Sequence, residues 1–316
     1  MSLFDDNDGG MMKIQPRNGR SIVQAERGPA HPALRYRGGK WRIARWIVEQ
    51  FPPHECYVEP FAGAASVLLH KAPASLECLN DLDGDVVAFW RVLRERPHEF
   101  IGRILTTPFS RRELALACEP LQDLKGREED DMERARRLWV RCYQGRGSSS
   151  RKSGWRFQPT NVFPSGQTWR QDHAKAARRI HGLVDIAARL QNVQIDNCDV
   201  LECIGRWDRP GTLFYLDPPY ADGREHSPKL YAHEMDTAAH EALAEALHGV
   251  RGMAVVSGYP GLYDQLYQGW ERLERGTSGE RQKPTIEVLW LNPATLDAWR
   301  AANAQGELTD TFQPVN

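Results

Sequence analysis

The feature that most constrains the fold of this chain is a short apolar run that ends on an acid and two prolines. Residues 212–216 (TLFYL) are β-branched, aromatic and aliphatic, which is typical of a strand covered on both faces. Pro218 and Pro219 cannot donate backbone hydrogen bonds, so they end the strand in a stiff, extended turn. Asp217 and Tyr220 are therefore expected at the carboxyl end of the strand, where ligands bind in open α/β sheets. Taken alone, the tetrapeptide could also be an ordinary turn.

Short apolar runs alternate with amphipathic segments along the rest of the chain. The pattern predicts strands at residues 55–58, 76–79, 193–195, 212–216, 253–256 and 286–291. It predicts helices at residues 41–51, 64–71, 85–95, 174–190 and 236–250, and two or three more between residues 97 and 141. This alternation favours an α/β fold, in which a sheet with helices on both faces is interrupted by a helical and basic insertion.

The same pattern predicts the domain organisation. Residues 1–30 and 306–316 are expected to be flexible tails, residues 31–96 and 192–305 to form the sheet domain, and residues 97–191 to form the insertion. The formal net charge is −1, but residues 134–179 hold twelve Lys or Arg against the single acid Asp172. This local excess of positive charge indicates a nucleic-acid partner, although a flexible, solvated basic loop is the simpler alternative.

Composition and cysteine spacing argue against several other classes. With 26% charged and 41% hydrophobic residues, the chain is expected to be soluble and globular. It has no apolar run long enough to cross a membrane and no recognisable secretion signal. The six cysteines form no CxxC pair and have no histidine partner at metal-binding spacing, which argues against zinc and against disulfides. We therefore expect a cytoplasmic protein without a metal.

Four acids follow predicted strands at one edge of the sheet: Glu59, Asp81, Asp199 and Asp217. Each alone could be a helix cap or a solvated loop acid, but four at successive strand ends would converge on one crevice. The glycine turn FAGAAS (residues 61–66) matches neither GxGxxG nor GxxxxGK(S/T), so it does not predict a pyrophosphate site. An acid before a turn of small residues suits a cationic amino-acid group, and Asp81 is placed to bind a ribose diol. Adenosine joined to an amino acid is S-adenosylmethionine, which is the cofactor we expect.

Five motifs occur in the order in which one enzyme family has them. They are RYRGGKWRIA (residues 35–44), YVEPFAGAASVLL (57–69), LNDLDGDVV (79–87), IDNCDV (195–200) and YLDPPY (215–220). They resemble the aromatic-x-GGK element, the cofactor loop, the ribose-binding strand end, the adenine-contacting turn and the catalytic tetrapeptide of the Dam-like, or alpha-class, adenine-N6 DNA methyltransferases. Each motif alone is moderately specific, whereas the ordered set over residues 35–291 is highly specific.

The resemblance implies a Rossmann-like S-adenosylmethionine-dependent methyltransferase sheet and methyl transfer to the exocyclic N6 amine of a flipped adenine in duplex DNA. It implies that Asp217 and the Pro218 carbonyl accept the amine hydrogens, that Pro219 stiffens the turn and that Tyr220 stacks on the base. The cofactor-binding residues that it implies are Tyr36, Lys40, Glu59, Pro60, Phe61, Gly63, Ala64, Asp81, Cys198, Asp199 and Asp217. Lys40 could contact a phosphate instead.

The insertion would then be the target-recognition domain. Its basic and aromatic side chains suit phosphate contacts, guanine reading and wedging between bases. The candidates are Arg146, Arg151, Lys152, Trp155, Arg156, Phe157, Trp169 and Arg170. The expected partner is double-stranded DNA, bound by a monomer or a homodimer in a prokaryote or by a phage-encoded protein. No motif encodes the recognition sequence, because specificity rests on a few side chains and on DNA deformation.

Two positions depart from the family pattern. Ala65 stands where the cofactor loop usually has a second glycine, which restricts the backbone, and Ser257-Gly258 stands where Ser-Asn is usual. Three alternatives stay open: methylation of cytosine at N4, methylation of RNA adenine or of protein amides, and a catalytically silent DNA-binding regulator with the same fold. The intact tetrapeptide at residues 217–220 and Asp81 argue against the regulator.

Overall fold

The computed structural model describes residues 29–119, 128–146, 154–156, 182–220, 233–278 and 284–304. Within these residues seven strands form one sheet: β1 Cys56–Glu59, β2 Leu76–Asn80, β3 Val193–Asp196, β4 Thr212–Leu216, β5 Met253–Gly258, β6 Glu271–Ser278 and β7 Pro284–Leu291. Their order is β3-β2-β1-β4-β5-β7-β6. Strand β7 is antiparallel to β5 and β6, and the other neighbouring pairs are parallel. The strand order reverses between β1 and β4, which is where a crevice forms in sheets of this kind.

The described helices lie between and beside these strands. They are α1 Ala44–Val48, α2 Gly84–Glu95, α3 Pro97–Thr106, α4 Arg111–Ala117, α5 Glu128–Gln144, α6 (residues 182–189), α7 Val200–Trp207, α8 Thr237–His248, α9 Leu262–Leu266 and α10 Pro293–Ala304. Asp83, Ser110, Asp199 and Asp236 each begin a helix by accepting a backbone N–H of its first turn. In the described ranges, no helix is both long and apolar enough to cross a lipid bilayer.

Alternate residues of the central strands point into two apolar layers, one on each face of the sheet. In β4, Leu213 and Tyr215 pack with residues of α1, α2 and α5, whereas Phe214 and Leu216 pack with residues of α7, α8 and α9. Both layers consist of fully buried side chains at their centres. The predicted α/β sheet with helices on both faces is therefore confirmed.

Two predicted helices are wrong: one is much shorter than predicted and the other does not form. Residues 41–51 contain only the five-residue helix α1, which begins without a side-chain cap and is flanked by turns. Residues 64–71 form consecutive turns instead of a helix. Ala65 has a left-handed φ of 47°, and the N–H of Leu68 donates to the Glu59 carboxylate at 3.1 Å. Both features interrupt the hydrogen-bond pattern that a helix would need there.

The described part of the insertion packs on the sheet domain through α5. Arg141 and Arg134 of α5 lie 2.6 and 3.5 Å from the Asp85 carboxylate, in the first turn of α2. Arg136 pairs at 2.5 Å with Glu113 of α4. Several arginines of the basic segment are thus already neutralised by acids elsewhere in the chain. The domain boundaries at residues 97 and 191 stay predictions.

Candidate active site

A cavity of about 270 Å³ opens at the carboxyl ends of β1, β2 and β4. All the residues predicted to bind the cofactor line it: Tyr36, Lys40, Glu59, Pro60, Phe61, Gly63, Ala64, Asp81, Cys198, Asp199 and Asp217. Of the other predicted catalytic residues, Pro219 lines the same cavity and Tyr220 lies beside Asp217. Asn80, Leu201 and residues 233–235 also line the cavity and were not predicted.

The turn after β1 is held in place at Gly63. The Gly63 N–H donates to Asp81 Oδ2 at 2.9 Å, and its carbonyl accepts from Trp90 Nε1 at 3.0 Å. Gly63 has a φ of 43°, and a Cβ at this position would lie 3.4 Å from the ring of Tyr36. Glycine is therefore favoured by the left-handed backbone conformation, and it leaves the gap between the turn and the Tyr36 ring open.

Burial disfavours the charged forms of two carboxyl groups in the cavity. Burial raises the pKa of Glu59 to about 8, although the Tyr57 hydroxyl and the Leu68 N–H donate to it at 3.0 and 3.1 Å. Burial likewise raises the pKa of Asp81 to about 7, against the hydrogen bonds from the N–H groups of Gly63 and Asp83. A cationic group bound nearby would favour both anions, so the cavity suits a ligand with a positive charge.

Asn80, the last residue of β2, joins the turns that follow β1 and β3. Its Nδ2 donates to the carbonyls of Pro60 and Cys198 at 3.1 and 3.0 Å, and its Oδ1 accepts the Cys198 N–H at 2.9 Å. Asp199 accepts the N–H of Leu201 at 2.8 Å and thereby caps α7. The helix-cap alternative for Asp199 is therefore correct, and the same residue still lines the cavity.

Asp217 lies at the centre of a buried polar cluster. The Lys40 ammonium contacts both of its carboxylate oxygens, at 2.7 and 2.9 Å, and the Tyr220 hydroxyl lies 2.9 Å from Oδ1. Burial raises the pKa of Asp217, the Lys40 charge opposes this rise and the Glu287 charge adds to it. Because Lys40 is only 7% exposed, these charges interact away from bulk water and therefore strongly.

Glu287 of β7 and Ser257 of β5 complete this group, and neither was predicted. Glu287 Oε1 lies 2.6 Å from the hydroxyls of both Tyr220 and Ser257, and 3.6 Å from Lys40 Nζ. We refer to Lys40, Asp217, Tyr220, Ser257 and Glu287 as the Asp217 cluster. A sequence signal for Glu287 was present, because it is the only charged residue in the run IEVLWL and unpaired carboxylates are rarely buried.

The glycine at position 258 is explained by the ring of Tyr263. A Cβ on Gly258 would lie 2.2 Å from two atoms of this ring and 3.2 Å from Trp290. Tyr263 is buried, and its hydroxyl lies 3.2 Å from Nδ1 of His240. The usual asparagine could not fit here unless Tyr263 moved.

Gly258→Ala is expected to lower the free energy of unfolding by about 1–3 kcal/mol, because the Tyr263 ring would have to leave a packed site. The loss should shrink in a Tyr263→Leu background, and urea denaturation of the wild type, both single variants and the double variant measures this coupling. Gly276→Ala is the control, since an added Cβ there meets nothing within 4 Å. Strictly additive losses would contradict the packing explanation.

Three of the predicted DNA-contacting residues lie in the described ranges. Arg146 is exposed, Trp155 packs against Phe109 with ring centroids 5.6 Å apart, and Arg156 donates to the Gly145 carbonyl at 3.2 Å. The others, Arg151, Lys152, Phe157, Trp169 and Arg170, lie outside the described residues. The DNA contacts therefore stay predictions. Among the described residues, no group of three or more His, Cys, Asp or Glu side chains could hold a metal ion.

The fold and the cavity together define a class of protein. A seven-stranded, mostly parallel sheet with the order β3-β2-β1-β4-β5-β7-β6 and an antiparallel β7 is a Rossmann-like methyltransferase fold, and its cavity lies at the strand ends expected for a ligand. The sequence model of the D12 class N6 adenine-specific DNA methyltransferase family matches residues 36–257. The chain belongs to this family, and the resemblance carried by the five motifs is confirmed.

Several curated proteins are similar to this chain. A DNA adenine methylase from Salmonella typhi is 25% identical over 190 residues, which are 60% of this chain and 64% of that protein. One from Escherichia coli (strain K12) is 34% identical over 68 residues, 22% of this chain and 24% of the relative. One from Serratia marcescens is 29% identical over 68 residues, 22% of this chain and 25% of the relative. The chain thus spans less than two thirds of the length of these relatives.

Proposed function

We propose that this chain is a site-specific, S-adenosylmethionine-dependent methyltransferase that modifies the exocyclic N6 amine of adenine in double-stranded DNA. The observation that carries the proposal is the position of Asp217, which is paired with Lys40 at the carboxyl end of β4 and borders the cavity that also contains Glu59 and Asp81. Membership of the D12 class family supports adenine as the target base.

The cavity residues fit S-adenosylmethionine. The Glu59 carboxylate suits the ammonium group, Asp81 suits the ribose hydroxyls, and Tyr36 and Asp199 suit the adenine ring and its amine. The space beside Gly63 that a Cβ would fill suits a ligand chain that passes close to the backbone. When bound, S-adenosylmethionine supplies an electrophilic methyl group on its sulfonium.

The residues at the end of β4 would make the adenine amine nucleophilic. This amine is a poor nucleophile because its lone pair is delocalised into the ring. Asp217 would accept a hydrogen bond from one amine hydrogen, and the Pro218 carbonyl would accept one from the other, so that the nitrogen becomes more tetrahedral. The two prolines hold both acceptors rigidly, which lowers the entropy cost of reaching the reactive geometry. Lys40 contacts both oxygens of Asp217, so it would have to release at least one of them first.

The flipped base would stack on Tyr220, which offsets part of the few kcal/mol needed to unstack it from the duplex. The Lys40 ammonium now lies 4.8 Å from the centroid of the Tyr220 ring, so an entering base would displace it. Basic side chains of the insertion would contact the phosphates, which makes DNA binding dependent on salt.

The test is to incubate the purified protein with methyl-labelled S-adenosylmethionine and mixed-sequence duplex DNA, and to identify the labelled nucleoside after digestion. We expect the label in 6-methyladenine, and none in a reaction without DNA. Label in 4-methylcytosine would keep the mechanism and replace the target base. Cofactor binding without transfer to any DNA would contradict the proposal and favour RNA, protein or a regulatory role.

A further inference from the structure

Glu287 reaches the Asp217 cluster because β7 runs against the other strands. Val288 pairs with Gly258, so the amino-terminal half of β7 lies beside the carboxyl end of β5. Glu287 is 5% exposed and its neighbours Val288 and Leu289 are fully buried. Burying a carboxylate in such surroundings costs free energy unless the carboxylate is paired.

The hydroxyl of Tyr220 has one hydrogen and faces two carboxylates. Its oxygen lies 2.6 Å from Glu287 Oε1 and 2.9 Å from Asp217 Oδ1. The shorter distance is typical of an O–H donor to a charged oxygen, and it favours donation to Glu287. Ser257 also donates to Glu287 Oε1, at 2.6 Å. Asp217 thereby keeps its lone pairs for other donors.

The two carboxylates also share one ammonium. Lys40 Nζ lies 2.7 Å from Asp217 and 3.6 Å from Glu287. An amine that binds an Asp217 oxygen has to displace Lys40 from it. Because Lys40 is buried, it needs another anion nearby, and Glu287 is a carboxylate within about one ångström of contact distance.

We infer that Glu287 is a positioning residue for methyl transfer, which takes the hydrogen of the Tyr220 hydroxyl in place of Asp217 and receives the Lys40 ammonium when the adenine amine binds. The inference rests on the proposed function. A purely structural Glu287 would only connect β7 to Ser257 of β5, and kcat of the folded protein would not depend on its charge.

Glu287→Gln keeps the size of the side chain and removes its charge, so it tests this role. We expect kcat to fall about 10–100-fold, because Lys40 would stay on Asp217 and the neutral amide would hold the Tyr220 hydroxyl less strongly. KM for DNA and Kd for S-adenosylmethionine should change little, since Glu287 does not line the cavity.

The pH dependence of kcat gives a second readout. Asp217 has to be ionised to accept the amine hydrogen, and the Glu287 charge adds to the rise in the pKa of Asp217 that burial causes. Removing that charge should move the acidic limb of the profile to lower pH. Among the described residues, the charged and titratable groups that interact with Asp217 include Lys40, Glu59, Tyr215, Tyr220, Tyr263 and Glu287, of which only Glu287 is changed.

Glu274→Gln makes the same change at an exposed acid of β6 and should alter neither kcat nor the profile. A folded Glu287→Gln protein with wild-type kcat would overturn the inference, whether or not its acidic limb moves, and would leave the proposed function intact. Should that variant not fold, Glu287→Asp decides, because it keeps the charge and withdraws the carboxylate by one methylene from both Tyr220 and Lys40, and an unchanged kcat would overturn the inference. Wild-type protein that transfers no methyl group would overturn both.

Discussion

Asp217→Asn is expected to lower the rate of methyl transfer at least about 10³-fold while S-adenosylmethionine still binds. The asparagine amide keeps the size of the side chain and can accept a hydrogen bond, but it lacks the negative charge that draws on the amine hydrogen. The charge matters here because the Asp217 cluster is buried and its electrostatic interactions are weakly screened. A single-turnover assay with labelled cofactor measures the rate, and titration calorimetry measures cofactor binding.

Asp196→Asn is the matched control for this variant. Asp196 is the last residue of β3, lies outside the cavity and pairs with Arg206 at 2.7 Å, so its substitution should leave the rate unchanged. Near wild-type transfer by Asp217→Asn would contradict the proposed chemistry. Loss of cofactor binding together with the rate would assign Asp217 to holding the cofactor.

Much of the candidate site could be predicted because each part of it is marked by local sequence. Glu59 is the last residue of β1, and Asp81 and Asp217 directly follow β2 and β4. Parallel strands bring their carboxyl ends to one edge, so a correct strand prediction already places these acids together. The prolines after Asp217 add a turn that depends on no distant contact.

Elements that depend on a distant partner could not be predicted in this way. Strand β6 (ERLERGTS) contains one apolar residue, Leu273, and exists because it pairs with β7 along its whole length. Residues 64–71 have a helical pattern, but Ala65 is left-handed and the Glu59 carboxylate accepts the N–H of Leu68. The hydrophobic periodicity of a segment gives no information about either effect.

Ion pairs between residues that are distant in the sequence could not be predicted either. Arg141 is one of the basic residues of the segment that was predicted to face nucleic acid. In the structure it pairs with Asp85, 56 positions earlier. Glu287 joins the site only because β7 is antiparallel, which its sequence does not show. In both cases, strand direction and helix packing decide which charges meet.

Glu77→Ala is expected to lower the free energy of unfolding by about 3–5 kcal/mol. Glu77 of β2 is buried between two cations, with Lys71 Nζ at 2.6 Å and Arg189 nitrogens at 2.5 and 2.8 Å. Without the carboxylate, the buried Lys71 and the partly buried Arg189 would carry uncompensated charge. Arg189 also donates to the Leu68 carbonyl at 3.3 Å, so the ion pairs of Glu77 also hold the segment that follows the turn after β1. Thermal unfolding should show a fall in Tm on the order of 10 °C.

The pH dependence of the stability lost in Glu77→Ala identifies charge as the cause of the loss. Burial acts to raise the pKa of Glu77, but the hydrogen bonds and charges of Arg189 and Lys71 outweigh it and lower the pKa. A carboxyl group with a lowered folded-state pKa stabilises the protein above its unfolded pKa, and the stabilisation is lost as pH falls through the folded value. The difference in unfolding free energy between wild type and Glu77→Ala should therefore be large at neutral pH and shrink in acid.

Glu95→Ala removes a surface partner of Arg94 and is the control for the buried group. It should cost about 1 kcal/mol or less, because exposed ion pairs contribute little. If Glu77→Ala were no less stable than Glu95→Ala in urea or thermal denaturation, Lys71 and Arg189 would have to find other partners. The buried carboxylate would then not be what holds the segment around Leu68 against β2, and the position of the turn after β1 would depend on its contacts with Asn80, Asp81 and Trp90.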